Sequence, residues 1–224
     1  MSDVAAPAIV LLSGGMDSAT TLAIARDQGF ACHALTFRYG QVNDAEIAAA
    51  ETIASHLAAT SHRIVDLDLA QFGGSALLGD GEIPTSQSSG GTVAGIPTTY
   101  VPARNTVFLS IALAAAEACG ATDIFLGVNA VDYSGYPDCR PEYIKAFEHM
   151  ANLATKVGVE SGSIVIHAPL IDLTKVQIIL RGQDHGVNFD LTISCYQPGD
   201  DNSPCEVCDS CQLRNEAFAL IAEQ

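Results

Sequence analysis

The chain has 224 residues, of which 48% are hydrophobic, enough for one α/β domain with a sizeable core and a small appendage. Twenty-six acidic against ten basic side chains give a formal charge of −16, with no basic stripe to break it, so a nucleic-acid backbone would be repelled over most of the surface. Met1 to Pro7 lacks the basic flank of a signal peptide and the longest apolar stretch, near Val107 to Ala116, is too short to span a bilayer. We therefore expect a cytoplasmic protein that acts on small molecules, with no nucleic-acid or membrane partner and with a homodimer left open.

The first apolar run, Ala8–Leu12, reads as a buried strand, and the next residues carry the densest chemical signal in the chain. Ser13-Gly14-Gly15-Met16-Asp17-Ser18 leads from that strand into an alanine-rich helix over Asp17–Gln28. A strand that turns into a helix through small residues presents unpaired N–H groups and a positive dipole end to an oligophosphate. Ser13 and Ser18 can add hydroxyl donors, while Asp17, an anion where an anion binds, makes sense as a Mg²⁺ ligand. An ordinary strand-to-helix turn is the plain alternative. There is no Gly-Lys-Ser/Thr, hence no Walker lysine for the terminal phosphates. The motif resembles instead the PP-loop of ATP pyrophosphatases, which implies ATP contacts along Leu12, Ser13, Gly14, Gly15, Met16, Asp17, Ser18, Ala19, Thr20, Thr21 and Leu22, and attack at the α-phosphorus.

Further strands are expected at Ala31–Phe37, His62–Leu67, Asp123–Val128 and Ser163–His167, and further helices at Asp44–Ala58, Asn105–Cys119, Pro141–Val157 and Thr174–Asp184. That alternation predicts a Rossmann-like parallel sheet with flanking helices, whose ligand sits beyond the carboxyl ends of the strands. Between Gly73 and Pro102 the sequence is rich in Gly, Ser, Thr and Pro and has neither period, so it predicts a long loop: a lid, a binding loop or a surface insertion. It ends at Tyr100-Val101-Pro102-Ala103-Arg104-Asn105, entering a helix apolar on nearly every face. Arg104 is thereby held near the interior, as an anion fork or a structural ion pair.

The tail carries Cys195, Cys205, Cys208 and Cys211, a C-x9-C-x2-C-x2-C array. Four thiolates in one short loop-rich segment read as structural tetrahedral zinc, with disulfides or an iron–sulfur cluster as the competing readings. A zinc site closed by four sulfurs has no open position, so catalysis must come from elsewhere. The expected division is an ATP-binding domain over residues 1–190 and a zinc-binding tail with a C-terminal helix over 191–224.

Taken with Leu-Thr-Phe-Arg-Tyr-Gly-Gln at 35–41, Tyr-Val-Pro-Ala-Arg-Asn at 100–105, Ser-Gly-Tyr-Pro-Asp-Cys-Arg at 134–140 and Pro-Leu-Ile-Asp-Leu-Thr-Lys at 169–175, these motifs resemble the 7-cyano-7-deazaguanine synthases across the whole chain. The resemblance implies a fold of the adenine-nucleotide alpha-hydrolase type and a ligase of the queuosine pathway. Such a ligase turns 7-carboxy-7-deazaguanine and ammonia into a nitrile by adenylating first a carboxylate and then an amide. It further implies that Asp17 and Ser18 serve ATP and Mg²⁺, and that Arg104 and Arg140 balance carboxylate or phosphate charge. Tyr136 and the carboxylates of Asp138 and Asp132 would meet the deazaguanine ring, with Lys175 a weaker candidate because a lysine at a helix start is usually solvated. Cys139 invites a covalent thioimide that the adenylation route does not require.

Two departures stand out. Val42-Asn43 replaces the Arg-His usual in that family, and Ala103 replaces a glycine. If the lost cations touch phosphate, substrate or ammonia, Gln41 and Asn43 must substitute by hydrogen bonding or the activity is altered. A paralogue acting on another carboxylate or on a protein, a tRNA-thiolating PP-loop enzyme and a non-catalytic nucleotide-binding module remain the alternatives.

Overall fold

A computed structural model of the chain describes residues 5–85, 95–131, 135–160, 162–199 and 201–223. Five parallel strands, β1 (Pro7–Leu11), β2 (Ala31–Arg38), β3 (Ser61–Asp66), β4 (Asp123–Phe125) and β5 (Val165–His167), pair in the order β3-β2-β1-β4-β5. The helices are α1 (Met16–Asp27), α2 (Ala45–His56), α3 (Arg104–Cys119), α4 (Pro141–Ala154), α5 (Lys156–Glu160), α6 (Lys175–Asp184) and α7 (Asp209–Ala222). No helix among the described residues is long and apolar enough to cross a membrane.

Alternation along the strands sends side chains to two separate cores. Ala8, Val10, Ala34 and Phe125 pack with Leu22 of α1, Ile53 of α2 and Ile179 of α6 on one face. Ile9, Leu35, Ile124 and Ile166 pack with Leu109 of α3 and Phe147 of α4 on the other. Each fully buried leucine or phenylalanine contributes on the order of 2 kcal/mol. The tail returns to the first core, where Ala217 of α7 is buried beside α6.

The strand order reverses direction between β1 and β4, so their carboxyl ends leave a crevice at the switch point of the sheet. β4 stops three residues short of the expected Val128 because the chain must diverge there. At Gly127 a Cβ would lie 3.1 Å from the Asp17 carbonyl oxygen, so the segment leaving β4 runs directly against α1.

Two other expectations are adjusted. The helix predicted over Pro141–Val157 breaks at Thr155, which turns extended (φ −112°, ψ 154°) and uses its hydroxyl to accept from the Gly158 amide, starting α5. The described parts of the 73–102 segment are anchored rather than structureless. Ala76 opens a short 3-10 turn over Ala76–Leu78, is buried, and donates its amide to the Thr98 carbonyl at 2.9 Å. On the far side Thr85 pairs with Cys208 of the tail and Ile83 packs on the cysteines. Gly90 and Gly91 lie outside the described residues.

Ala103 adopts φ 54°, ψ 23° immediately before α3. That left-handed conformation costs a non-glycine residue about 1–2 kcal/mol, of which glycine's extra chain entropy returns part. Ala103→Gly is therefore expected to stabilise the protein by about 0.5–1 kcal/mol, a rise of a few degrees in thermal midpoint. An unchanged or lower midpoint would mean that Ala103 carries no strain.

Candidate active site at the carboxyl edge of the sheet

Gly15 caps α1 without a side-chain acceptor, so the first amides of the helix keep their N–H groups for a ligand. The turn itself is stapled by Ser18, whose hydroxyl accepts from the Ser13 amide at 3.1 Å and donates to the Gly15 carbonyl at 3.0 Å. Gly14 is irreplaceable on steric grounds: at φ 90° its Cβ would sit 2.3 Å from the Glu46 carbonyl oxygen of α2. Its own carbonyl accepts from the Ile193 amide at 3.0 Å, which draws the tail over the loop.

Above this turn lies a cavity of about 240 Å³, walled by Leu12, Ser13, Gly15, Met16, Asp17 and Ser18 and by side chains from every neighbouring segment. Ala19, Thr20, Thr21 and Leu22, counted by the sequence reading among the ATP contacts, face the interior at 0% exposure. The helix turns them away from the crevice after its first turn, and they pack behind the cavity wall. Thr21 also donates its hydroxyl to the Asp17 carbonyl.

Asp17 and Lys175 form a two-pronged ion pair, with Nζ at 2.8 and 2.9 Å from the carboxylate oxygens. Lys175 is therefore not a solvated lysine. It is 6% exposed, set at the first position of α6 by the Thr174–Gln177 capping box, and it reaches across α1 into the cavity. Arg104 enters from the start of α3, donates to the Tyr39 hydroxyl at 3.2 Å and lies 5.8 Å over its ring. Burial disfavours its charge, but Tyr39, Tyr136 and Asp138 more than offset this and hold its pKa above the ordinary value. Tyr136 lines the cavity too, hydrogen-bonded to Thr99 at 2.5 Å.

Other candidates fall elsewhere. Asp138 is buried outside the cavity lining, where one carboxylate oxygen accepts from the Asn105 amide at 3.0 Å and so pins the N-terminus of α3 and, with it, Arg104. Arg140 is exposed before α4 and does not line the cavity. Asp132 lies outside the described residues. Cys139 lines the wall, but burial first and Asp138 second push its thiol up to about 12, the opposite of an activated nucleophile.

Gln41 and Asn43 line the cavity where the family's cations would stand, and each is held by backbone hydrogen bonds. The Gln41 amide accepts from the Tyr39 amide and donates to the Phe37 carbonyl, while Asn43 donates to the Cys195 carbonyl at 2.9 Å and accepts from the Ala45 amide. Each keeps one further amide N–H beyond these backbone bonds. Among the described lining residues the charged side chains are Asp17, Glu46, Arg104 and Lys175.

Glu46 is the residue that sequence reasoning missed. It stands in the first turn of α2, where an acidic residue reads as an ordinary favourable charge at a helix start. Burial raises its carboxyl to about 7, against the opposing pull of Arg104. Ser194, Tyr196 and Ser210 were likewise missed as lining residues because they alternate with the cysteines.

The four cysteines of the tail converge. Their sulfurs all lie within 4.8 Å of one another, close to the about 3.8 Å edge that tetrahedral Zn–S bonds of about 2.3 Å would impose, and the cluster can hold a metal ion. The Cys205 amide donates to the Cys195 sulfur at 3.2 Å and the Cys208 amide to the Cys205 sulfur at 3.4 Å, as in a knuckle that shares out thiolate charge. The cysteines are unbridged thiols.

A bare helix N-terminus at the switch point, with a carboxylate beside it and no Walker lysine, places the chain in the PP-loop class of nucleotide-using α/β enzymes. Within that class it belongs to the family of queuosine biosynthesis protein QueC, whose family model matches residues 7–222. It is 63% identical over 213 residues to the 7-cyano-7-deazaguanine synthase of Paramagnetospirillum magneticum, covering 95% of this chain and 94% of that one. With the 7-cyano-7-deazaguanine synthase of Nitrosospira multiformis it shares 60% over 212 residues, 94% of this chain and 90% of that one. Among solved structures, the NMN synthetase of Francisella tularensis superposes with a TM-score of 0.52 at 17% identity, over 98% of this chain and 79% of that one. A 4-thiouridine synthetase–RNA complex with bound ATP gives 0.52 at 18%, over 96% and 53%. At those identities the likeness is one of fold.

Proposed function

We propose that the chain is an ATP-dependent carbon–nitrogen ligase that converts 7-carboxy-7-deazaguanine and ammonia into 7-cyano-7-deazaguanine, the product that its relatives' names give. The observation that carries the mechanism is the bare N-terminus of α1 facing the same cavity as Arg104. A carboxylate is a poor electrophile, because its oxygen leaves badly. With the pyrophosphate portion of ATP held on the amides after Gly15, a substrate carboxylate steered by Arg104 attacks the α-phosphorus and pyrophosphate departs. Ammonia attacks the acyl adenylate, AMP leaves, and the amide forms. A second adenylation, on the amide oxygen, lets AMP leave again as two N–H protons are lost, giving the nitrile.

Asp17 fits a role beside Mg²⁺, since magnesium is held by one or two carboxylates together with substrate phosphates and water. Bound with ATP, the ion would offset phosphate charge. Lys175, fixed by Asp17, would face the phosphates from the other side. Tyr136 is kept as a substrate contact; Asp138 is assigned to positioning α3, and Arg140 to the outer rim. The donor set of Cys195, Cys205, Cys208 and Cys211 suits zinc, which would fold the segment 191–224 into the wall that closes the cavity.

With ¹⁸O in the substrate carboxylate, label is expected in AMP. Label in inorganic phosphate would mean γ-phosphoryl transfer and would overturn this mechanism, and the absence of a nitrile or amide product by mass spectrometry would overturn the substrate.

A further inference from the structure

We infer that Glu46 forms an ammonium site in the wall of this cavity and is the base that converts bound ammonium into the attacking ammonia. The inference rests on the proposed ligase reaction and adds the identity of the group that prepares its nitrogen nucleophile.

Ammonia in neutral water is almost wholly ammonium, which has no lone pair to attack a carbonyl carbon. A ligase that draws on free ammonium therefore needs a site for a small cation next to the acyl adenylate, and a group there that takes its proton. The described cavity wall offers two carboxylates. Asp17 has both oxygens on Lys175 at 2.8 and 2.9 Å. Glu46, by contrast, accepts no hydrogen bond and makes no ion pair among the described residues, although it sits at the inner end of α2.

Its position is fixed. The Glu46 carbonyl packs against Gly14 so tightly that a Cβ there would come within 2.3 Å, which locks the first turn of α2 to the phosphate-binding turn. The same wall is aromatic: Phe37 and Phe108 stack at 4.0 Å, and Tyr39 meets Phe108 edge-on at 5.4 Å. A carboxylate that shares a cavity wall with aromatic rings and lies close enough to Tyr39 to act on it electrostatically suits a small cation that sheds its water.

The charged neighbours set the direction of proton transfer. Arg104 of α3 pulls the Glu46 pKa down and burial pushes it up, with burial prevailing at about 7. Across the cavity stand the Asp17–Lys175 pair and the hydroxyl of Tyr196, while burial raises the pKa of the Tyr136 hydroxyl and of the Cys139 thiol, so both keep their protons. The exchange NH₄⁺ + COO⁻ → NH₃ + COOH turns two ions into two neutral molecules, so the partial burial of Glu46 in this wall favours it from both sides. The ammonia lone pair then forms the C–N bond as the C–O bond to AMP breaks, with its electrons going to the phosphate. The proton lost by the attacking nitrogen leaves on AMP, and Glu46 returns its own proton to solvent.

The test is Glu46→Gln, read in three assays. With ammonium at pH 7.5, kcat/KM for amide formation is expected to fall about 100-fold, and the deficit is expected to shrink as pH rises and free ammonia becomes abundant. With hydroxylamine, which is uncharged at neutral pH, hydroxamate formation is expected within a few-fold of wild type. Carboxylate-dependent ATP–pyrophosphate exchange, which needs no ammonia, should persist and shows that the site is folded. Loss of exchange or of hydroxamate in the variant, or an ammonium deficit that does not change with pH, would overturn the role of Glu46. A wild-type protein that catalyses neither exchange nor hydroxamate formation would instead overturn the ligase reading itself.

Discussion

Asp17→Asn is expected to lower turnover by about 1,000-fold, the size of effect seen when a charge-stabilising group is removed from a reaction centre. The asparagine is nearly isosteric, so steric disruption contributes little. What changes is electrostatic: the carboxylate that binds Lys175 at 2.8 and 2.9 Å is gone, and with it the anionic partner for a phosphate-bound cation. The two side chains are only 17% and 7% exposed, so the substitution also costs stability, on the order of 3 kcal/mol. Adding Lys175→Met removes the buried charge as well, and the double variant should recover most of that stability while remaining inactive. Urea denaturation and AMP release separate the two effects. Near-normal turnover in Asp17→Asn would take Asp17 out of the reaction, and a double variant no more stable than the single would show that the pair does not carry the stability difference.

This pair also shows how far the sequence could be read. The PP-loop was legible because its chemistry is local: Ser13, Gly14, Gly15 and Ser18 act through backbone and hydroxyl groups within one turn of each other. The strands were legible for the same reason, since apolar runs separated by helical stretches permit few folds other than a parallel sheet. Lys175 was misjudged as solvated because its burial depends on α6 packing against α1, a contact between residues 158 positions apart. The PP-loop resemblance carries the ATP contacts on through Ala19–Leu22, whose burial behind the cavity wall is set by packing of α1 that the motif does not show. Glu46 could not be singled out at all. Nothing near it in sequence marks it as facing a cavity, and its surroundings come from Tyr39 and Arg104, which the sheet order brings together.

Metal removal from the tail is expected to weaken substrate binding as well as stability, because the four cysteines and the cavity share a segment. Ser194 and Tyr196 flank Cys195 and line the cavity, as does Ser210 between Cys208 and Cys211; Ile193 donates its amide to Gly14 in the phosphate-binding turn. Cys208, 1% exposed and paired with Thr85, also holds the 73–102 segment to the tail. Cys208→Ser is therefore expected to drop metal content from about one ion per chain, lower the thermal midpoint by on the order of 10 °C, and raise KM for ATP and the carboxylate substrate several-fold. Saturating substrate should restore much of the lost rate, since a site closed by four sulfurs has no open coordination position and acts only through the wall it shapes. Elemental analysis, thermal melts and steady-state kinetics check each part. Unchanged metal content would overturn the four-cysteine site, while lost metal with an unchanged KM would confine it to anchoring a tail that the cavity does not need.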